Sequence, residues 1–262
     1  MSLLTALLVA AGAAAPAAAT DAGPICTDRP TKGNAVCTVP AGRVQIESSL
    51  AGWSLTKDSG TRTSLLTLGA LTVKYGLSSR SDLQVGVTPY AHLTVRKGGQ
   101  RRRVSGFGDV TVRYKHRLTG DGAKVQAAVI PYVKFPTADD GLGNDRVEGG
   151  LAVPLSFALA GPATMTLGPE LDWLADSDGH GRHLALVNLV NVALPVAPRV
   201  TATGELWTNV NFDPAGTLKQ ASADVALAFA ASNAVQLDGG ANLGLTRDTP
   251  DVEIYVGASI RY

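Results

Sequence analysis

The sequence predicts an all-β protein, a transmembrane antiparallel up-and-down β-barrel of about twelve strands. Three observations lead to this prediction: apolar and polar residues alternate along most of the chain, charged residues occupy one of the two alternating positions, and short connections alternate with longer polar ones. A period of two is the strand period, because successive side chains leave opposite faces of the backbone. A barrel in a bilayer needs an apolar face towards lipid and a polar face towards its lumen.

The composition agrees with a membrane barrel and argues against other classes. The chain has 262 residues, a formal net charge of +1 and 17% charged residues. A nearly neutral chain lacks the basic surface that nucleic acid requires, so we expect no nucleic-acid partner. After the N-terminus, the sequence has no apolar run of about 20 residues, the length that a membrane-spanning helix needs.

The N-terminal region has the features of an export signal, which we assign to residues 1–19. Leu3–Ala11 form a short apolar core, and Ala17–Ala19 supply small residues before the predicted cleavage site; a helix of the mature protein is the alternative. Residues 20–41 are predicted to form a periplasmic segment. In an exported chain its two cysteines, Cys26 and Cys37, are expected to form a disulfide, with two free thiols or half of a metal site as the alternatives.

Turn-forming residues divide the predicted barrel, residues 42–262, into twelve strand segments. The last segment shows the pattern well, because Val252, Ile254 and Val256 alternate with Glu253 and Tyr255. In the eighth segment both alternating positions are apolar, so its two faces cannot be assigned from the pattern. In chain order the segments are 43–55, 63–75, 82–96, 104–116, 124–135, 147–159, 164–173, 183–194, 200–210, 222–229, 235–245 and 252–262.

The lengths of the connections favour a membrane barrel over a soluble β-sandwich, the alternative that alternation leaves open. Connections after even-numbered segments are short, as at 161–162 and 232–233, whereas several after odd-numbered segments are longer and polar, as at 97–103 and 136–146. Outer-membrane barrels have short periplasmic turns and longer outer loops. The segments are also longer than the roughly five or six residues usual for strands of soluble proteins.

The candidate lumen-lining residues are charged and aromatic residues at the polar positions of the strands. A charge on the lipid face near the midplane costs about 2–4 kcal/mol, so a membrane barrel directs charged side chains inwards. Acids outnumber bases at these positions, which predicts an interior that attracts cations. These side chains could line a solute path or fill a narrow lumen by pairing with one another. The candidates are Asp82, Tyr90, Arg96, Asp109, Arg113, Lys115, Tyr132, Lys134, Glu148, Glu170, Asp172, Glu205, Trp207, Asp224, Asp238, Glu253 and Arg261.

Four motifs stand out, namely the segment Cys26–Gly42, the glycine-rich strand opening Gly106–Asp109, the loop Pro136–Gly143 and the final strand, which ends at Tyr262. They resemble those of a bacterial outer-membrane transporter family associated with the meta pathway of phenol degradation. The resemblance extends from about residue 26 to the end of the sequence. It implies a barrel in the outer membrane of a Gram-negative bacterium, a role in transport and no catalytic residues.

We therefore expect a channel or transporter for the passive passage of small solutes, hydrophobic or aromatic ones among them, without a cofactor or a metal. The expected partners are outer-membrane lipid, a small-molecule solute and the barrel-assembly machinery, which would bind the last strand. One alternative is a structural or binding barrel whose lumen is plugged by side chains. The other is a lipid-modifying enzyme, although the sequence has no Gly-x-Ser-x-Gly motif. The polar stretches 136–146 and 178–183 are interpreted as solvated loops and not as metal sites.

Overall fold

The computed structural model describes residues 23–262, so the predicted signal peptide lies outside the described residues. No helix of this part of the chain is long and apolar enough to cross a membrane. The strand segments are β1 (Val44–Asp58), β2 (Thr61–Ser78), β3 (Ser81–Val87), β4 (Tyr90–Lys97), β5 (Gln100–Gly106), β6 (Val110–Arg117), β7 (Val125–Phe135), β8 (Glu148–Ala152), β9 (Leu155–Ala158), β10 (Thr164–Leu167), β11 (Glu170–Ala175), β12 (Arg182–Ala197), β13 (Val200–Asn211), β14 (Leu218–Ala230), β15 (Val235–Gly244) and β16 (Val252–Arg261).

These segments form twelve antiparallel strands that close into one barrel. Four of the strands are interrupted once, so that β3 continues as β4, β5 as β6, β8 as β9 and β10 as β11. The ring closes because β1 pairs with β2 on one side and with β16 on the other. The predicted all-β barrel of twelve strands is therefore confirmed.

The barrel buries polar side chains and exposes apolar ones, which is the reverse of a soluble domain. Glu205 is 4% exposed and its neighbour Leu206 is 60% exposed, and the corresponding values for Asp224 and Val225 are 3% and 61%. Because successive side chains of a strand point to opposite faces, the carboxylates line the lumen and the aliphatic side chains form the outer surface.

The lengths of the connections orient the barrel in the membrane. The longest connection, residues 136–147, lies at the end of the barrel opposite the first residue of β1 and the last residue of β16. Outer-membrane barrels have their longer loops on the extracellular side. The start of β1 and the end of β16 therefore lie at the periplasmic end.

The faces of β12, which the sequence left unassigned, are clear in the structure. Ala185 and Leu189 point inwards and are 0% and 6% exposed, whereas Leu186 and Val190 point outwards and are 42% and 44% exposed. Leu189 lies beside Gly33 in the lumen, where a Cβ added to the glycine would be 3.3 Å from the leucine Cδ1. Leu189 is accommodated on the inward face of β12 because it packs against a part of the chain that precedes β1.

Along a line that crosses the first four strands of the barrel, namely β1, β2, β3–β4 and β5–β6, the alternation of inward and outward residues reverses. Residue positions of one parity point inwards on one side of the line and outwards on the other. The line passes through Leu50, where a β-bulge shifts the pairing of β1 with β16. It continues through Gly69, whose φ of +67° is a left-handed conformation that glycine adopts without strain, and through the strand breaks at 88–89 and 107–109. Odd-numbered residues of β1 point inwards on the periplasmic side of this line, and even-numbered ones on the extracellular side.

Strand pairing establishes this reversal, because residues paired across two strands share a face. Ser54 pairs with Glu253, whose carboxylate accepts a hydrogen bond in the lumen. Ser54 therefore points inwards and its neighbour Trp53 points outwards. The ladder continues from Trp53 to Leu66 and from Leu66 to His92, which places the imidazole of His92 on the outer surface.

The prediction that Tyr90 and Arg96 line the lumen is wrong. Both residues belong to β4, on the extracellular side of the line, and they pair with the outward residues Leu68 and Arg62. Polar and apolar residues alternate without a change of phase from 82 to 96, whereas the backbone break at 88–89 reverses the faces. The alternation therefore persists, but in β4 its polar positions point outwards.

The face reversal predicts opposite environments for two adjacent residues of β2. A fluorophore on Leu66→Cys should be quenched by brominated lipid in proteoliposomes, because residue 66 faces lipid. The same fluorophore on Leu65→Cys, the matched control, should be protected, because residue 65 pairs with the inward Ser54. Stronger quenching at residue 65 than at residue 66 would contradict the reversal.

Candidate functional site in the barrel lumen

Residues 26–40, which we call the internal segment, lie inside the barrel. The Thr38 hydroxyl donates to the Ser79 carbonyl at the periplasmic rim, at 3.4 Å. The N–H groups of Lys32 and Gly33 each donate to the Glu205 carboxylate, at 3.1 Å, near the middle of β13. The internal segment therefore enters from the periplasmic end, and its tip reaches the middle of the lumen.

A disulfide between Cys26 and Cys37 closes most of the internal segment into a loop, with the two Cα atoms 6.4 Å apart. The sequence-based prediction placed residues 20–41 in the periplasm, whereas the structure places 26–40 among the inward-facing side chains of the barrel. The physical reason is charge complementarity. The segment carries one acid, Asp28, and two bases, Arg29 and Lys32, and each meets opposite charges that the strands hold in the lumen.

Two buried lysines bind Asp28 at the wall of the lumen. Its carboxylate lies 2.5 Å from Nζ of Lys74 and 2.6 Å from Nζ of Lys115, and Lys74 also lies 2.5 Å from the Glu47 carboxylate. The two lysines are only 2% and 1% exposed. Removing one member of a buried ion pair costs about 3–5 kcal/mol, because the remaining charge stays buried without a partner. Asp28 is therefore a principal anchor of the internal segment.

The pKa of the Asp28 carboxyl is lowered by this environment. Burial acts to raise the pKa, but the positive charges of Lys115 and Lys74 outweigh it, so that the net shift is downwards. A lowered carboxyl pKa stabilises the folded state above the ordinary pKa, and this contribution is lost only as the pH falls towards the lowered value. The anchor is therefore complete at neutral and mildly acidic pH.

Arg29 and Lys32 bind acids of β14 and β15. Arg29 donates from Nε and Nη2 to the Asp238 carboxylate, at 3.2 and 2.6 Å. Lys32 places Nζ 2.6 Å from Asp224 and 5.2 Å from the centre of the Trp207 ring. These two bases neutralise part of the acid excess that the sequence predicted for the lumen.

Backbone N–H groups of the internal segment also bind carboxylates. The N–H of Asp28 donates to Glu47, and the N–H groups of Lys32 and Gly33 donate to Glu205. The N–H of Ala35 donates to the Asp28 side chain, and the N–H of Val39 donates to Asp82. Amide donors satisfy buried carboxylates without adding charge. The segment therefore fills hydrogen-bonding positions of the wall as well as space.

Two polar cavities meet at the tip of the internal segment. The larger measures about 530 Å³ and extends along β2, β3, β6 and β7, and the smaller measures about 260 Å³ and lies against β8–β13. Lys32, Asn34 and Glu170 line both cavities. Next to this junction Tyr132 donates to Asp172 at 2.6 Å, so that two carboxylates and one phenol border the narrow part of the lumen.

The extracellular mouth of the lumen is narrowed by the connection 136–147, which folds inwards. Asp109 accepts from the N–H groups of Thr137 and Ala138, at 3.1 and 3.0 Å, and pairs with Lys134 at 2.7 Å. A Cβ added to Gly141 would lie 3.5 Å from the side chain of Val104, an inward residue of β5. The reversed face of β5 thus supplies an apolar contact for the loop.

Tyr90 and Arg96 face outwards, as described above. All the other predicted lumen-lining residues face the lumen or its rims. Arg261 is at the periplasmic rim, where it donates to the Gly23 carbonyl at 2.6 Å. The inward residues are Asp82, Asp109, Arg113, Lys115, Tyr132, Lys134, Glu148, Glu170, Asp172, Glu205, Trp207, Asp224, Asp238, Glu253 and Arg261.

Sequence reasoning missed the internal segment as part of the site. Its Asp28, Arg29, Lys32 and Asn34 contact the wall directly, and Asn34 accepts from Arg113 at 2.5 Å. The signal that could have found them is a short loop with three charged residues between two cysteines, in front of a barrel whose inward positions carry unequal numbers of acids and bases.

Comparisons with known proteins agree with this architecture. A family model described as "Putative MetA-pathway of phenol degradation" matches residues 27–262. The outer membrane channel from Pseudomonas putida F1 is a similar solved structure, with a TM-score of 0.71 and 15% identity over 89% of this chain and 100% of that one. The NanC porin has a TM-score of 0.54 and 11% identity over 83% of this chain and 98% of the porin. No curated protein matches the sequence.

These structural similarities are similarities of fold. The transport unit of the autotransporter AIDA-I from Escherichia coli has a TM-score of 0.51 and 13% identity, over 84% of this chain and 90% of that one. The same barrel architecture thus occurs in a channel, a porin and an autotransporter. The barrel matches those of Gram-negative outer-membrane channels and porins, and the outer membrane is the location of this protein.

We predict that Asp28→Asn loosens the internal segment. The substitution leaves the buried Lys115 without a carboxylate partner and should raise the rate of amide hydrogen exchange throughout residues 26–40, measured by mass spectrometry on the protein in detergent. Asp121→Asn is the matched control, because the Asp121 side chain is 89% exposed and pairs with Arg117 at the surface. Equal exchange in the wild type and Asp28→Asn would show that the ion pairs do not hold the segment.

Proposed function

The chain belongs to the family described as "Putative MetA-pathway of phenol degradation", and on this premise we propose that it is a channel for the passive passage of small solutes across the outer membrane. One observation carries the proposal: polar cavities of about 530 and 260 Å³ meet at the tip of the internal segment. In a barrel built to be plugged, side chains would fill this space. A solute path around the tip needs movement of the internal segment but no opening of the strand ring.

The proposed path runs from the extracellular mouth through the larger cavity and past the junction at Glu170. Movement of Lys32 away from Asp224 would widen this junction, because Lys32 lines both cavities. Cations and water would take the place of Lys32 beside Asp224, whose side chain is only 1% exposed. The segment would thus control the width of the path, while the rest of its contacts keep it in the barrel.

The lining of the path supports small water-soluble solutes, including those with an aromatic ring. Glu170 and Asp172 have no cation within 4 Å among residues 23–262, so the junction should favour cations over anions. Tyr132 lines the larger cavity and Trp207 the smaller one, and each ring offers a face for stacking.

A binding barrel with a permanently closed lumen is the second candidate function. The observation in its favour is the buried pairing of Asp28 with Lys74 and Lys115, which fixes the base of the internal segment. An enzyme has less support, because His92, the one histidine in the middle of a strand pattern, faces outwards. Within residues 23–262 its ring nitrogen has one hydrogen-bonding contact, with the Thr94 hydroxyl at 3.3 Å.

We also propose that the final strand binds the barrel-assembly machinery during insertion. β16 has outward residues Ile254 and Val256, 50% and 55% exposed, and the terminal Tyr262 ring is 62% exposed. The Tyr262 N–H donates to the Val44 carbonyl at 2.8 Å, so the last residue is part of the seam that closes the barrel.

Single-channel recording in planar bilayers tests the channel proposal. The wild type should give a small, steady ionic current, and Arg29→Ala combined with Lys32→Ala should increase the conductance several-fold, because the tip loses its partners Asp238 and Asp224. The matched control is Lys219→Ala, an exposed residue next to the extracellular loops. The absence of current from both the wild type and the double variant would favour the closed binding barrel.

Ion selectivity tests the role proposed for the junction. Glu170→Gln combined with Asp172→Asn should lower the preference for potassium over chloride, measured as the reversal potential in a salt gradient. The single variant Asp251→Asn, in the connection after β15, is the control and should leave the reversal potential unchanged. An unchanged reversal potential in the double variant would exclude these two carboxylates as the selectivity determinant.

A further inference from the structure

Five basic residues form a patch on the outer surface of the barrel, which we call the outer basic patch. Four of them, Lys57, Arg62, Arg96 and Arg101, form one row across four neighbouring strands, because each pairs with the next across the sheet. Arg103 lies in the next outward-facing row on the periplasmic side, where it pairs with Thr94. The face reversal described above directs all five outwards.

The outer basic patch has no neutralising partner in the described part of the chain. Among residues 23–262, no carboxylate lies within 4 Å of a charged nitrogen of these five residues. Like charges directly opposite each other in a sheet are destabilising. A row of four bases is therefore unfavourable unless an anion outside the polypeptide binds between them.

A cavity of about 240 Å³ lies within the outer basic patch. It is lined by Arg62, Arg96 and Arg101, together with Trp53, Ser64 and Thr94. The Ser64 hydroxyl accepts from the Trp53 ring N–H at 2.8 Å, which leaves its own O–H free to donate to a ligand. Thr94 is 9% exposed. Forked guanidinium donors beside hydroxyl donors suit the oxygens of a phosphate group.

The depth of the outer basic patch matches the outer interface of the membrane. The outward positions of β2 are apolar from Leu77 to Leu66, and Ser64 and Arg62 follow. At about 3.3 Å per residue and a tilt of about 40°, the apolar stretch spans roughly 28 Å along the membrane normal, close to the 25 Å apolar band of outer-membrane barrels. Arg62 then lies roughly 10 Å farther out, at the level of the lipid headgroups.

We propose that the outer basic patch is a binding site for a phosphorylated glycolipid of the outer leaflet, namely the phosphate groups of the lipid A part of lipopolysaccharide. The arginines bind the phosphate, and the outward Trp53 and Leu66 contact the acyl chains below it. A lipid, and not a free anion, is the ligand that this arrangement favours, because the donors stand directly above the lipid-facing surface.

Native mass spectrometry of the full-length mature protein in detergent tests this proposal with lipid A of defined phosphorylation. The wild type should retain bisphosphorylated lipid A, and the triple variant Arg62→Gln/Arg96→Gln/Arg101→Gln should bind it at least about tenfold more weakly, since each charge-assisted hydrogen bond contributes strongly to binding. Lys97→Gln in the same turn and Lys219→Gln on the other side of the barrel are the matched controls and should bind as the wild type does.

Two further measurements separate the possible ligands. Lipid A without phosphates should bind the wild type as weakly as the triple variant binds the bisphosphorylated form, and inorganic phosphate should not displace the lipid. Equal binding of phosphorylated lipid A by the wild type and the triple variant, equal binding of the dephosphorylated lipid, or displacement by inorganic phosphate would each overturn the proposal. The heat-dependent gel mobility of folded barrels shows whether each variant is folded. If the triple variant does not fold, the single variant Arg96→Gln replaces it in the binding measurement and should show a smaller loss of binding.

Discussion

The structure depends on the pairing of charges in a lumen that aliphatic side chains and lipid surround. A barrel in a membrane must direct its charged residues inwards, and these charges are costly unless each finds a counter-ion or a hydrogen-bond donor. The strands alone hold more acids than bases in this lumen. The internal segment supplies what is missing, with Arg29 bound to Asp238, Lys32 bound to Asp224 and backbone amides bound to Glu205. The barrel and the segment are therefore parts of one electrostatic unit.

This pairing also explains why a filled lumen is compatible with transport. The base of the internal segment is held by the buried lysines around Asp28, whereas Lys32 at the tip is 25% exposed at its side chain and borders both cavities. Asp224, the partner of Lys32, has a side chain that is only 1% exposed, so its charge needs a replacement partner when Lys32 leaves. The tip can thus move when an ion or a cationic solute takes the place of Lys32, while the base remains anchored.

Much of the fold could be predicted from the sequence, because the lipid environment imposes a simple rule on every strand. The alternation of Leu206 with Glu205, or of Val225 with Asp224, has only one arrangement that keeps the charge out of lipid. The rule fails at β4, where the break at 88–89 reverses the faces without changing the alternation. It also fails at β12, where Leu189 points inwards because Gly33 of the internal segment packs against it. The first failure arises from a backbone break that the alternation does not mark, and the second from a contact between residues that lie far apart in the sequence.

The position of the internal segment is the central claim, and site-specific photo-crosslinking measures it directly. A photoreactive phenylalanine derivative at residue 34 has room in the adjoining cavities, because Asn34 lines both of them. Irradiation followed by mass spectrometry should locate the adducts on inward-facing residues of this same barrel, among them Arg113 of β6 and Trp207 of β13. Adducts formed only with other periplasmic molecules, and none with the strands, would contradict a segment lodged in the lumen.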